Sequence, residues 1–148
     1  MLSPPTRLQR NDMDAVAAVH RASLDDRLPW LAGLHTPEED RAYFGTVVFR
    51  ECELWGTFHG PALAGFIAFR DGWIDQLYVL PTHQGQGAGS ALLEVAQMRC
   101  SELNLWTFQR NAIARRFYER HGFVEAELTD GSRNEEREPD IHYVWRRR

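Results

Sequence analysis

The sequence predicts one α/β domain whose elements run β-α-α-β-β-β-α-β-α-β-β. Three observations carry that prediction. The length of 148 residues fits one core, since domains cluster at roughly 100 to 200 residues. Apolar spacing switches repeatedly between helical period and strand alternation. Turn signals (His59-Gly60-Pro61, Asp71-Gly72 and a glycine-rich run at 85–89) stand at the switches. No repeat, low-complexity tract or linker divides the chain, so residues 1–148 read as a single unit.

Pro5 to Gln9 reads as a first strand that ends at Asn11, a good N-cap, with Asp14 three residues on. Met13, Val16, Ala17, His20 and Leu24 then share one helical face. Thr36-Pro37-Glu38-Glu39 combines a capping box with proline at the first helical position, and predicts a helix to about Arg50. Glu53 to Phe58, Leu63 to Arg70 and Trp73 to Leu80 are short and rich in branched and aromatic residues. Asp71-Gly72 between two of them is a strong hairpin signal, so an antiparallel meander follows. Leu92, Val95, Ala96, Cys100 and Leu103 mark a helix, Leu105 to Phe108 a strand, and Asn111 the cap of a helix closing on Gly122. Val124, Ala126 and Leu128, then Ile141, Tyr143 and Trp145, alternate with polar residues as two half-buried strands would.

Composition excludes several functions. No apolar run approaches the roughly 18 residues a membrane span needs, and MLSPPTRLQR does not resemble a secretory signal, so a cytoplasmic setting is expected. Net charge is −4 with no basic stripe, which argues against nucleic acid. Cys52 and Cys100 lie far apart and outside any CxxC spacing, and the six histidines form no HExxH, so neither a disulfide framework nor a metal site is expected.

Gln84-Gly85-Gln86-Gly87-Ala88-Gly89 precedes a helix. A P-loop there would need lysine, and all 17 basic residues are arginine. A dinucleotide fingerprint would want GxGxxG early in a parallel βαβ unit, and Gly85, Gly87, Ser90 match poorly. Two readings remain open: a plain turn, or an anion site made from the unmet amides and positive dipole of a helix start.

The same run, following LYVLP, resembles the Q/R-x-x-G-x-G/A pyrophosphate loop of the GNAT superfamily of acetyl-CoA-dependent N-acetyltransferases. NAIARRFYERHGF (Asn111 to Phe123), preceded by LWTF, looks like that family's next motif, and together the two cover about a third of the chain. The resemblance implies a mixed, mostly antiparallel central sheet flanked by helices, with Leu77, Tyr78 and Val79 on a splayed strand that pairs with pantetheine. It implies that the Leu77 amide holds the oxyanion and that the pyrophosphate lies on Gln84, Gly85, Gln86, Gly87, Ala88, Gly89 and Ser90. Asn111 would cap its helix and reach the pantetheine, and Tyr118 would be the general acid toward the leaving thiolate; apart from the motif, Tyr118 reads as a core tyrosine whose hydroxyl finds a partner. One of Arg110, Arg115, Arg116 and Arg120 would meet the 3′-phosphate. Homodimers are common in the family.

The acceptor must lose a proton, which for an alkylamine at pH 7 costs roughly 4 to 5 kcal/mol. Asp75, expected to share a strand face with Leu77 and Val79, is the candidate base, with Glu53 in reserve. Asp25 and Trp30, in the connection Ser23 to His35, would attract and stack a cationic amine. The function expected is acetyl transfer from acetyl-CoA to a small-molecule or peptide amine by direct attack. The alternative is a non-catalytic acyl-CoA-binding sensor or interaction module.

Overall fold

Short branched and aromatic runs separated by tight turns pair most readily with their sequence neighbours, and the meander forms as that rule demands. The computed structural model describes residues 1–148. Strands β1 (Thr6–Arg7), β2 (Glu53–His59), β3 (Ala62–Arg70), β4 (Trp73–Val79), β5 (Glu102–Phe108), β6 (Val124–Leu128) and β7 (Asp140–Arg146) make one seven-stranded sheet, ordered β1-β2-β3-β4-β5-β7-β6. Every neighbouring pair is antiparallel except β4 and β5. The helices α1 (Met13–Arg27), α2 (Pro37–Tyr43), α3 (Phe49–Glu51), α4 (Ala88–Arg99) and α5 (Ala112–Arg120) flank it, and α2 reaches α3 through a π-helical stretch, Phe44–Val48.

Two apolar clusters lie on opposite faces. Ile67, Ile74, Leu92, Leu93, Leu103, Phe123, Ile141 and Tyr143 pack under α4 and α5. Met13, Val16, Phe44, Leu54 and Phe66 pack under α1 and the α2–α3 segment. The Thr36 capping box forms in both directions: Thr36 Oγ1 accepts from the Glu39 amide (3.1 Å) and Glu39 Oε1 from the Thr36 amide (2.7 Å).

Several boundaries differ from expectation. The first strand is only Thr6–Arg7, and Asn11 sits inside a 3-10 turn, because Asp12 Oδ2 takes the Gln9 amide (2.7 Å). Helix α1 runs on to Arg27 and absorbs the start of the expected substrate loop, Ser23 to Arg27. Helix α4 stops at Arg99, so Cys100 caps it and Leu103 belongs to β5. All of β6 is exposed, with Val124 at 61% and Leu128 at 57%, since it is a sheet edge that no helix covers.

Candidate functional site

The parallel neighbours β4 and β5 share one paired position, Trp73 with Asn104, and diverge beyond it. A cleft of ≈ 870 Å³ opens between them, bordered by α1, α4, α5 and the β6–β7 loop. Leu80 N–H donates to Ala64 O (2.8 Å), which fixes the β3–β4 register. Alternation along a strand then turns the Leu77 and Val79 backbone groups away from β3, toward the gap. Those amides face the space that an added extended chain would fill.

Gly85 and Gly87 have positive φ (78° and 85°), a conformation that L side chains resist, and they fold the chain from β4 into α4. Gly89 serves differently. A Cβ there would meet the Phe117 ring at 3.3 Å, so its bareness lets α4 and α5 approach. Ala91 N–H is bonded to Gly87 O (3.0 Å), and the amides ahead of it are the unmet donors of a helix start. They converge on the cleft, which Gly85, Gly87, Ala88, Gly89 and Ser90 all line. A diphosphate fits such a donor set: main-chain N–H groups, the dipole end of a twelve-residue helix, and no side chain in the way.

The side chains around this cradle are committed. Gln84 Nε2 donates to Val79 O (2.9 Å) and its Oε1 accepts from Arg27. Arg27 thus brings a cation from α1 to the loop, with its pKa lowered by burial and partly restored by Asp26. Its spacing in the sequence carries no signal for this; only the fold brings α1 there. His121 Nδ1 donates to Phe117 O (2.8 Å), and its Nε2 lies 3.0 Å from Ser90 Oγ. Of the four arginines considered for a phosphate, Arg120 lines the cleft, whereas Arg110 covers Trp30 and Arg115 bonds Tyr143 and Gln109. Gln86 does not line the cleft with its neighbours.

Asn111 Oδ1 accepts the Ala114 amide (3.2 Å), capping α5 as expected, and the residue lines the cleft. Tyr118 is 8% exposed, packed against Phe117, Phe123 and Tyr143, and also lines the cleft. Burial, then the neighbouring Tyr78, raises its pKa. Its hydroxyl makes no hydrogen bond within the protein, unlike the core tyrosine Tyr143, which donates to Glu119 (2.6 Å). Tyr78, on β4 beneath α1, is pushed up to about 12 by burial and then by Glu136.

The expectations for Asp75, Trp30, Asp25 and Glu53 need correction. Asp75 does not share Leu77's face, because it is the extra residue of a β-bulge: Phe69 pairs with Ile74 and Ala68 with Gln76. It still lines the cleft, but its Oδ2 is held by Arg70 Nε (2.8 Å) and approached by Cys52 Sγ (3.3 Å), whose pKa burial pushes up to about 12. Trp30 is not an open stacking platform. The Arg110 guanidinium covers its ring at 3.9 Å and its indole N–H donates to Glu138 (2.9 Å). Neither Trp30 nor Asp25 lines the cleft, the latter because its turn belongs to α1. Glu53, the reserve base, is outside too, tied to Arg99 (2.5 Å) and Trp55 (2.7 Å).

Comparison with known proteins agrees with this fold. A model of the acetyltransferase (GNAT) domain matches residues 42–125. No curated protein sequence matches the chain. Among solved structures, apo-form YjaB from Escherichia coli is 20% identical with a TM-score of 0.79, over 98% of this chain and 97% of that one. The PaiA N-acetyltransferase of Thermoplasma acidophilum, solved in complex with coenzyme A, is 21% identical with a TM-score of 0.74 over 99% of both chains. An acetyltransferase from Thermus thermophilus is 20% identical with a TM-score of 0.76, over 99% and 97%. At these identities the likeness is one of fold.

Proposed function

Because the chain belongs to the acetyltransferase (GNAT) domain family, we propose that it moves an acetyl group from acetyl-CoA to an amine by direct attack within a ternary complex. The observation that carries this reading is the convergence on one cleft of two things: the bare amides at the start of α4, and the strand amides left unpaired where β4 and β5 part. The first suit a diphosphate and the second an extended amide arm. The acyl thioester supplies the electrophilic carbonyl. The Leu77 amide would steady the charge that develops on the carbonyl oxygen.

Tyr118 is the proposed acid. Its raised pKa keeps it a neutral donor throughout the physiological range, and a thiolate leaving into the same low-dielectric cleft is made more basic by the same desolvation. Asp75 is the proposed proton acceptor, through its second oxygen and water, since Arg70 and Cys52 occupy Oδ2. Trp30 contributes to acceptor binding only by bracing the segment that follows α1, through its bond to Glu138.

Tyr118→Phe is the decisive variant. Calorimetry should give coenzyme A affinity within about two-fold of the parent, while kcat falls about 100-fold or more. Equal turnover would remove Tyr118 from the mechanism. Uptake of acetyl-CoA with no acetylation of any amine would favour the non-catalytic binding module instead.

A further inference from the structure

Four carboxylates line the cleft: Asp40, Asp75, Glu136 and Asp140. Three are already matched. Arg21 pairs with Asp40 (2.8 Å) and Arg70 with Asp75 (2.8 Å), while Asp140 takes the Thr129 hydroxyl and the Asn134 amide (3.2 Å). Glu136 has neither an ion pair nor a hydrogen bond, although it is half-buried. A carboxylate drawn part-way out of water is unfavourable unless something compensates it. Here the compensation has to enter the cleft from outside.

The loop that presents Glu136 is firmly built. Asn134 donates to Glu138 O (2.8 Å) and accepts from the Glu138 amide (3.1 Å). Gly131 has a φ of 83°, and any Cβ there would strike the Glu138 carbonyl carbon at 2.4 Å. Arg137 is held at a φ of 53°, the one non-glycine residue in the left-handed region. On either side of Glu136 the loop is tied to the segment after α1, by Glu135 to His35 (2.7 Å) and by Glu138 to Trp30 (2.9 Å). Glu136 is therefore positioned between two anchored neighbours. Its charge reaches Tyr78, next to the Leu77 amide that faces the acyl site.

The wall facing it combines an apolar stripe with cations, since Arg21 and Arg27 line the cleft there beside the leucines. Leu24, Leu28, Leu31 and Leu34 line the cleft along the end of α1 and the turn after it. A ligand with one positive charge and an apolar body would satisfy both features. A second positive charge, as in a polyamine, would be desolvated against leucine and meet Arg27, and the amide backbone of a peptide would be desolvated likewise.

We propose that Glu136 is the carboxylate that receives the acceptor's ammonium group, and that the acceptor is a primary alkyl- or arylalkylamine with a single positive charge. This deepens the acetyl-transfer reading and rests on it. Glu136 acts by holding and orienting the acceptor. The proton acceptor remains Asp75, which lines the same cleft.

The test is steady-state acetylation of hexylamine, phenethylamine, spermidine and an amino-terminal peptide by the parent and by Glu136→Gln and Glu136→Asp. Expected for the two monoamines is a 10- to 100-fold loss of kcat/KM in Glu136→Gln, carried mainly by KM, with partial recovery in Glu136→Asp. Hexanol, as a competitive inhibitor against hexylamine, should bind both proteins alike. Coenzyme A affinity, read by calorimetry, should stay within two-fold. Unchanged kcat/KM in Glu136→Gln, or a preference for spermidine or peptide over the monoamines, would overturn the assignment while leaving acetyl transfer intact. Acetyl-CoA binding with no turnover of any of the four would overturn both.

Discussion

His20 shows how one side chain can register its surroundings. Its ring stands edge-on to Tyr78 (4.9 Å between centroids) and tilted against Phe44 (5.1 Å), in the wall of the cleft, with Nδ1 buried and unbonded. Burial lowers its pKa from 6.5; Asp40 and Asp25 oppose the shift, while Arg21 and His35 assist it. In the unfolded chain the same imidazole takes a proton near pH 6.5, before the folded one does. The unfolded state therefore binds more protons just below that pH, and stability falls as the pH drops from about 6.5 to the folded pKa, then levels off. One such group limits the slope to about 1.4 kcal/mol per pH unit. Urea unfolding between pH 7.5 and 5 should show this decline, and His20→Gln should flatten it; an unflattened slope would assign the effect to other groups.

At the scale of elements, the turn from β4 into α4 depends on two different demands for glycine. Gly87 has open space around it and a φ of 85°, so Gly87→Ala meets backbone strain alone, about 1–2 kcal/mol. Gly89→Ala would gain helix propensity, about 0.5–1 kcal/mol, against its 3.3 Å contact with Phe117. Denaturant titration should find Gly87→Ala clearly destabilised and Gly89→Ala nearly neutral. Coenzyme A affinity should fall at least ten-fold in the first, because the amides swing with the turn. Equal effects of the two changes would mean that packing, not φ, governs the loop. The sequence foretold this element well because glycine spacing and a following helical period are local signals. The Thr36 box and the Asn111 cap were legible for the same reason. The bulge at Asp75 was not: alternation from Trp73 to Leu80 looks regular, and the extra residue appears only in its pairing with Ala68 and Phe69. Arg27 and Glu136 also lay beyond reach, since their places depend on segments more than 50 residues apart, Arg27 bonding Gln84 and Glu136 lining the same cleft as Tyr78.

For the whole molecule, element order was readable, but the exposure of β6 was not, because alternation cannot say whether a strand lies at an edge. Order along the sheet has one mechanical consequence. The N-terminal half, β1 to β4, and the C-terminal half, β5 to β7, meet along the sheet only through the Trp73–Asn104 pair, helped by Asn104 N–H to Gly72 O (2.8 Å). Off the sheet the halves are bridged by α4 across the shared core and by the Trp30–Glu138 and His35–Glu135 ties. A ligand lying in the gap would add main-chain contacts where the sheet has none, so coenzyme A should act as a missing strand. Saturation at about 100 times Kd stabilises by about 2.7 kcal/mol, which for a chain of this size raises Tm by about 5–10 °C. Hydrogen exchange should localise the gain: amides of Leu77 and Val79 and those from Gly85 to Ser90 should slow, while the exposed edge β6 stays as it was. A rise in Tm with protection spread evenly over the sheet would mean that the ligand binds elsewhere.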